Sequence, residues 1–224
     1  MRTRYRVLET MGDIMEKWKA VVIMLLIGGL LGYGAFQSKQ VTKVEETLPV
    51  QTNASNPTGN FTPNQQIQQF VGKPLPAWNI PSKYWINTSK ALSPSDFKGS
   101  VTILEFYRIN CSHCQEAAPL MKEMGVKYGP KGLKMVGIQS PSLGDKAENR
   151  WSTVAQVSKN NFGFSHPVAF DENSVLFRTA YKGRLYPSVF LTDKKGIVVF
   201  AQTGFDADKE ALLRAAVERE LAKK

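Results

Sequence analysis

The chain has 224 residues, a formal net charge of +10 and two cysteines. The length allows one domain of ordinary size with appendages, and both cysteines sit in one C-x-x-C unit, which excludes a disulfide framework. The basic residues are spread along the chain with no nucleic-acid motif beside them, which argues against a nucleic-acid partner.

Residues 1–19 are polar and lean basic, with Arg2, Arg4, Arg6, Lys17 and Lys19. Ala20 to Phe36 then carries no charge, a run at the short end for crossing a bilayer, with Trp18 and Tyr33 near its ends where interfacial aromatics belong. The preceding positive residues predict a cytoplasmic N-terminus and an exported remainder, so a single-pass membrane protein is expected. A cleaved signal peptide is the competing reading, disfavoured by the long leading segment and long apolar run. A buried core helix fits poorly with Gly28 beside Gly29. Residues 37–69 are polar, rich in Asn, Gln and Thr, and interrupted by Pro49, Pro57 and Pro63; they read as a tether, with room for a short helix near Pro63–Phe70.

The domain is expected over residues 70–224. Trp78 and Ile80, then Tyr84 to Ile86, suggest a hairpin-like pair, and Ser93 to Gly99 one helical turn ending at glycine. Val101 to Tyr107 reads as a buried strand. After it, Ala117, Leu120, Met121, Met124 and Tyr128 follow helical spacing. Leu133 to Gln139 predicts a strand, Trp151 to Phe162 a helix, Pro167 to Phe170 a short strand and Ser174 to Tyr181 a short helix. Pro187 to Thr192 and Ile197 to Gln202 flank an Asp-Lys-Lys-Gly turn as a hairpin, and Asp206 caps a last helix with Leu213, Ala216, Val217 and Leu221 inward. The fold class is α/β: a central mixed sheet with helices on both faces, behind an N-terminal membrane helix.

Cys111-Ser112-His113-Cys114 thus falls at a strand-to-helix junction. Unpaired backbone N–H groups at a helix start favour an anion, and two thiols at this spacing can close a disulfide, so the pair reads as redox-active with no other cofactor. Zinc wants more ligands than Cys111, Cys114, His113 and the distant His166 provide, so no metal is expected. Haem attachment needs a histidine where Gln115 stands.

Four features carry a resemblance to the thioredoxin fold, and within it to the membrane-anchored TlpA/ResA-type thiol–disulfide oxidoreductases: the C-x-x-C at the junction, Pro119 in the following helix, Tyr186-Pro187 leading into the Ser188 strand and its turn, and Glu105 six residues before Cys111. Asn110 and Arg108 depart from the pattern, standing where an aromatic and an apolar residue are usual. The resemblance implies disulfide exchange with exported proteins, in cytochrome c maturation or general periplasmic disulfide handling, and a membrane partner that recycles the dithiol. Cys111 is then the nucleophile and Cys114 the resolving thiol. His113, as an imidazolium, would lower the Cys111 pKa, or else be an exposed side chain of little effect. Glu105, if buried, can take the Cys114 proton; if on the solvated end of its strand, it cannot. Pro187 resembles the cis-proline that faces the disulfide in this fold, leaving edge groups of Tyr186 for an extended substrate. A thiol-based metal or haem delivery module is the alternative, and a redox-inert scaffold the third reading.

Overall fold

A computed structural model describes residues 62–223. The predicted membrane segment and most of the tether lie outside the described residues. Among the described residues no helix is long and apolar enough to cross a membrane.

Six strands form one sheet: β1 (Trp85–Ile86), β2 (Val101–Tyr107), β3 (Leu133–Gln139), β4 (Val168–Phe170), β5 (Ser188–Thr192) and β6 (Val198–Thr203), in the order β1-β4-β3-β2-β5-β6. β2, β3 and β4 run parallel, while β1, β5 and β6 each pair antiparallel with a neighbour. Four helices accompany them: α1 (Pro63–Gln68), α2 (Ser112–Tyr128), α3 (Trp151–Asn160) and α4 (Ala207–Ala222). This is the mixed, helix-flanked sheet expected from the element order.

β2 is the centre. All seven of its residues are buried, as a strand covered on both faces must be. Val101, Ile103 and Tyr107 face a core shared with Met121 and Met124 of α2, Val154 of α3 and Leu213 and Val217 of α4. Leu104 and Phe106 face the other core, with Ile67, Trp78, Trp85, Phe177 and Tyr181. Each fully buried side chain of this size contributes about 1.5–3 kcal/mol. The bidentate pairing of Arg214 with Glu123, two contacts of 2.7 Å, ties α4 to α2.

Several elements differ from the sequence expectation. The stretch Thr62 to Gln69, assigned to the tether, belongs to the packed body: Thr62 and Gln65 form a reciprocal cap, Ile67 is 1% exposed, and the Gln68 side chain donates to the Ala201 carbonyl of β6. The hairpin over Trp78 to Ile86 does not form. Pro81 opens a 3-10 turn (Ser82–Tyr84) that turns the chain away, and the two residues of β1 pair with β4 instead. The short helix over Ser174 to Tyr181 is replaced by a 3-10 turn (Glu172–Ser174) and one π-type turn (Leu176–Ala180). Asn173 and Ser174 take positive φ there, and the Asp171 carboxylate accepts from the Leu176 and Phe177 backbone N–H groups at 2.8 and 2.9 Å. That carboxylate caps a tighter start than helical periodicity can reveal.

Candidate active site

The C-terminal end of β2 delivers Arg108, Ile109 and Asn110 to the start of α2. Cys111 is the N-cap, in extended conformation, and its carbonyl accepts from Cys114 and Gln115 at 3.1 and 3.0 Å. Its sulfur therefore sits over the first turn, where backbone N–H groups have no helical acceptor. Cys111 is half-buried; Cys114, one turn in, is fully buried. Both are free thiols.

The two thiols titrate very differently. The Cys114 thiol donates to the Cys111 sulfur and is the main reason that Cys111 is lowered to about 6; burial opposes this, and the Cys114 N–H and the Arg108 and His113 charges assist. Cys114 is pushed far above the ordinary thiol range, first by burial, then by the hydrogen bond to Cys111 and the charges of Cys111 and Glu105. One sulfur is thus a half-buried thiolate at neutral pH and the other a sheltered proton-bearing thiol. That division suits attack by the first and later resolution by the second.

Glu105 lies on β2 in register with Gly137 and Val189, 1% exposed, and neither carboxylate oxygen has a hydrogen-bond partner among the described residues. Burial, and then the Cys111 charge, raise its pKa to about 8. Of the two readings for this residue, the buried one describes its position.

The Tyr186–Pro187 bond is cis, and the Cys111 sulfur lies 3.9 Å from the Tyr186 carbonyl oxygen. The loop before it is fastened by Ser188, whose hydroxyl donates to the Leu185 carbonyl at 2.7 Å. The Tyr186 ring packs against Phe177 at 4.6 Å, and burial raises its hydroxyl to about 12. Tyr186 therefore stands beside Cys111, with Pro187 next to it across the cis bond.

His113 is exposed on α2, with Nδ1 3.1 Å from a Glu116 carboxylate oxygen. Its charge is the smallest of the named influences on Cys111, behind Arg108. The second histidine is elsewhere: His166 precedes β4, its ring packs at a tilt against Phe164 at 4.6 Å, and burial lowers its pKa to about 4. Among the described residues no group of three or more His, Cys, Asp or Glu side chains could hold a metal ion.

A buried carboxylate that sequence reasoning missed organises the rim. Glu148 is fully buried and accepts from Arg108 Nε at 3.0 and 3.1 Å, from the Asn110 N–H at 3.1 Å and from the Ser142 N–H at 2.7 Å. The Asn110 side chain donates to Asp145 at 3.0 Å. Arg108 in turn lies over the Tyr186 ring, 5.6 Å from its centre. The two residues that departed from the pattern are thereby explained: Arg108 and Asn110 bind the loop over residues 140–149 to the cysteine turn. Arg108 was visible as a cation in an apolar stretch, but nothing in the sequence marks Glu148 as its partner.

Comparison with known proteins agrees with this geometry. Over 116 residues the chain is 30% identical to DipZ of Mycobacterium tuberculosis, covering 51% of this chain but only 16% of DipZ. It is 25% identical to the thiol-disulfide oxidoreductase ResA of Bacillus anthracis over 179 residues, 80% of this chain and 83% of ResA. A crystal structure from Chlorobium tepidum, assigned as thiol:disulfide interchange protein DsbE, superimposes with a TM-score of 0.55 at 27% identity, covering 68% of this chain and 98% of that one. The fold is thioredoxin-like. Residues 71–201, which take in β1 to β5, most of β6 and the cysteine turn, match the AhpC/TSA family, and the chain belongs to that family.

Proposed function

We propose that the protein is a thiol–disulfide oxidoreductase, tethered to a bacterial inner membrane by residues 20–36, whose domain exchanges disulfides with exported proteins outside the cytoplasm. The observation that carries this reading is the divided character of the dithiol: Cys111 half-exposed with its pKa lowered to about 6, Cys114 buried and raised. The ResA relative, matched over most of both chains, supports the same activity.

In the reducing direction the Cys111 thiolate attacks one sulfur of a substrate disulfide. A Cys111–substrate bond forms, the substrate disulfide breaks, and its second sulfur leaves as a thiolate. Loss of the Cys111 charge removes one of the two influences that raise Glu105, so its carboxylate becomes easier to form beside the still-protonated Cys114. Having given up its own proton to solvent, the Glu105 carboxylate takes the Cys114 proton. Cys114 then attacks the Cys111 sulfur, closing the Cys111–Cys114 disulfide and releasing the substrate's remaining sulfur. The edge of Tyr186 before Pro187 receives the substrate backbone, and His113 adds a small favourable charge at the rim. A membrane partner returns the disulfide to the dithiol, and the same steps reversed oxidise a substrate.

The test is trapping. With the full chain in neutral detergent and a peptide disulfide as substrate, Cys114→Ser should accumulate a mixed disulfide through Cys111, and Cys111→Ser should react with nothing. Equal turnover by both variants overturns the assignment. Stoichiometric, tight metal or haem binding without turnover favours the delivery-module reading, and undiminished cellular function of Cys111→Ser favours the scaffold.

A further inference from the structure

Arg108 uses one of its three nitrogens. Its Nε serves both Glu148 oxygens, and among the described residues no group accepts from Nη1 or Nη2. A guanidinium carries five N–H donors in a fixed plane, so four stay unpaired. The side chain is 24% exposed, which leaves that edge open to solvent. Its position is fixed from behind, since Glu148 is saturated by Arg108 and by the Asn110 and Ser142 N–H groups. It is also fixed from below, because the guanidinium lies over Tyr186, the residue whose carbonyl oxygen meets the Cys111 sulfur. The Arg108 charge is also one of the causes that lower the Cys111 thiol, so the guanidinium with its open donors stands within electrostatic reach of the reacting sulfur.

The charges on this rim point one way. Lys182 and Arg184 are exposed on the loop leading into Tyr186. Besides the buried Glu105 and Glu148, two carboxylates near the cysteine turn are already engaged, Asp145 by Asn110 and the backbone of Ala147 and Glu148, Glu116 by His113. In the dithiol, the Cys111 thiolate answers the Arg108 charge. Once Cys111 joins the substrate, its negative charge leaves with the departing sulfur, and Glu148, bound at Nε, is the anion left paired with Arg108. A partner that brings its own anion meets a cation already held in place, with no side chain left to order.

We propose that the two Nη groups of Arg108 receive a side-chain carboxylate of the partner polypeptide, beside its reacting cysteine, and so make Arg108 a specificity-determining residue. A planar carboxylate fits this fork through paired N–H···O contacts, which a lysine at the same place cannot reproduce. The inference rests on the disulfide-exchange reading above and names the chemistry of its substrates.

The test uses the full chain in neutral detergent at 0.15 M salt. Three peptide disulfides with blocked ends differ only in carrying Glu, Gln or Lys next to the cysteine. The unmodified protein should reduce the Glu peptide about tenfold faster than the Gln peptide, and the Lys peptide more slowly than either. Arg108→Gln should bring the Glu-to-Gln ratio close to one, and Arg108→Lys should leave an intermediate ratio. Taking the ratio within each variant cancels any change in Cys111 reactivity. The overall charge of +10 also attracts acidic peptides, but beyond about 8 Å it is screened at this salt and it is nearly the same in all three proteins. A ratio that survives Arg108→Gln, or a ratio near one in the unmodified protein, overturns the proposal. A second readout needs no turnover: a Glu peptide with serine in place of cysteine should shift the Arg108 Nε–H resonance, and its Gln counterpart should not. If no variant exchanges disulfides, the functional reading fails, and the resonance alone decides whether Arg108 takes a carboxylate.

Discussion

Glu105 offers the sharpest check on the energetics of the site. Its carboxyl is buried on the central strand without a hydrogen-bond partner among the described residues and has a pKa near 8 against an ordinary 4.5. The folded protein therefore holds the Glu105 proton over a pH range in which the unfolded chain releases it. Stability is unaffected by this group below pH 4.5, falls as pH rises, and levels off above pH 8. At about 1.36 kcal/mol per pH unit, less the partial titration at either end, the loss between pH 5 and pH 8 is about 3–4 kcal/mol. The perturbation is Glu105→Gln, which keeps the shape and removes the titration. It is best placed in a Cys111→Ser, Cys114→Ser background, where the thiols no longer titrate. The Cys111 contribution to the shift disappears there, while burial, the larger cause, remains. Urea unfolding followed by tryptophan fluorescence at pH 5, 6, 7 and 8 should show the protein that keeps Glu105 losing about 3 kcal/mol relative to the Glu105→Gln variant. Parallel pH curves for the two would refute the buried, unpartnered carboxylate and with it the proton acceptor assigned to Cys114.

The remaining predictions concern the thiols and the packing around them. The rate of iodoacetamide alkylation of Cys111 should be half-maximal near pH 6, with Cys114 unmodified in the folded protein; a midpoint in the ordinary thiol range would contradict the hydrogen bond from Cys114. Glu148→Ala strands the partly buried Arg108 charge and two backbone N–H groups, and should cost about 3 kcal/mol in urea unfolding; a loss under about 1 kcal/mol would place the loop's support elsewhere. Ile67→Ala should cost about 2–4 kcal/mol, because the side chain is buried against the sheet; unchanged stability would return α1 to the tether.

Much of the site was legible because its signals are local. The run Val101 to Tyr107, the helical spacing from Ala117 to Tyr128 and the Asp206 cap each rest on neighbours within one or two turns, and all three stand where the sequence put them. The position of Cys111 at the helix start follows from those two elements meeting. Glu105 was legible as a residue and not as an environment, since a strand has two faces and only the sheet decides which are covered. The hairpin over Trp78 to Ile86 failed for the same reason: β1 found its partner in β4, more than eighty residues later in the chain.

By itself, the order of residues determined the strand–helix junction, the thiol pair on it and the class of fold, because periodicity, capping and turn chemistry act over a few residues. Tertiary structure alone decided what each ionisable group became. It buried Cys114 and left Cys111 half-open, it sealed Glu105 beneath them, and it brought Glu148 across forty positions to hold Arg108 over Tyr186. Desolvation and charge depend on distance in space, and contacts between residues that far apart along the chain exist only once the sheet has assembled.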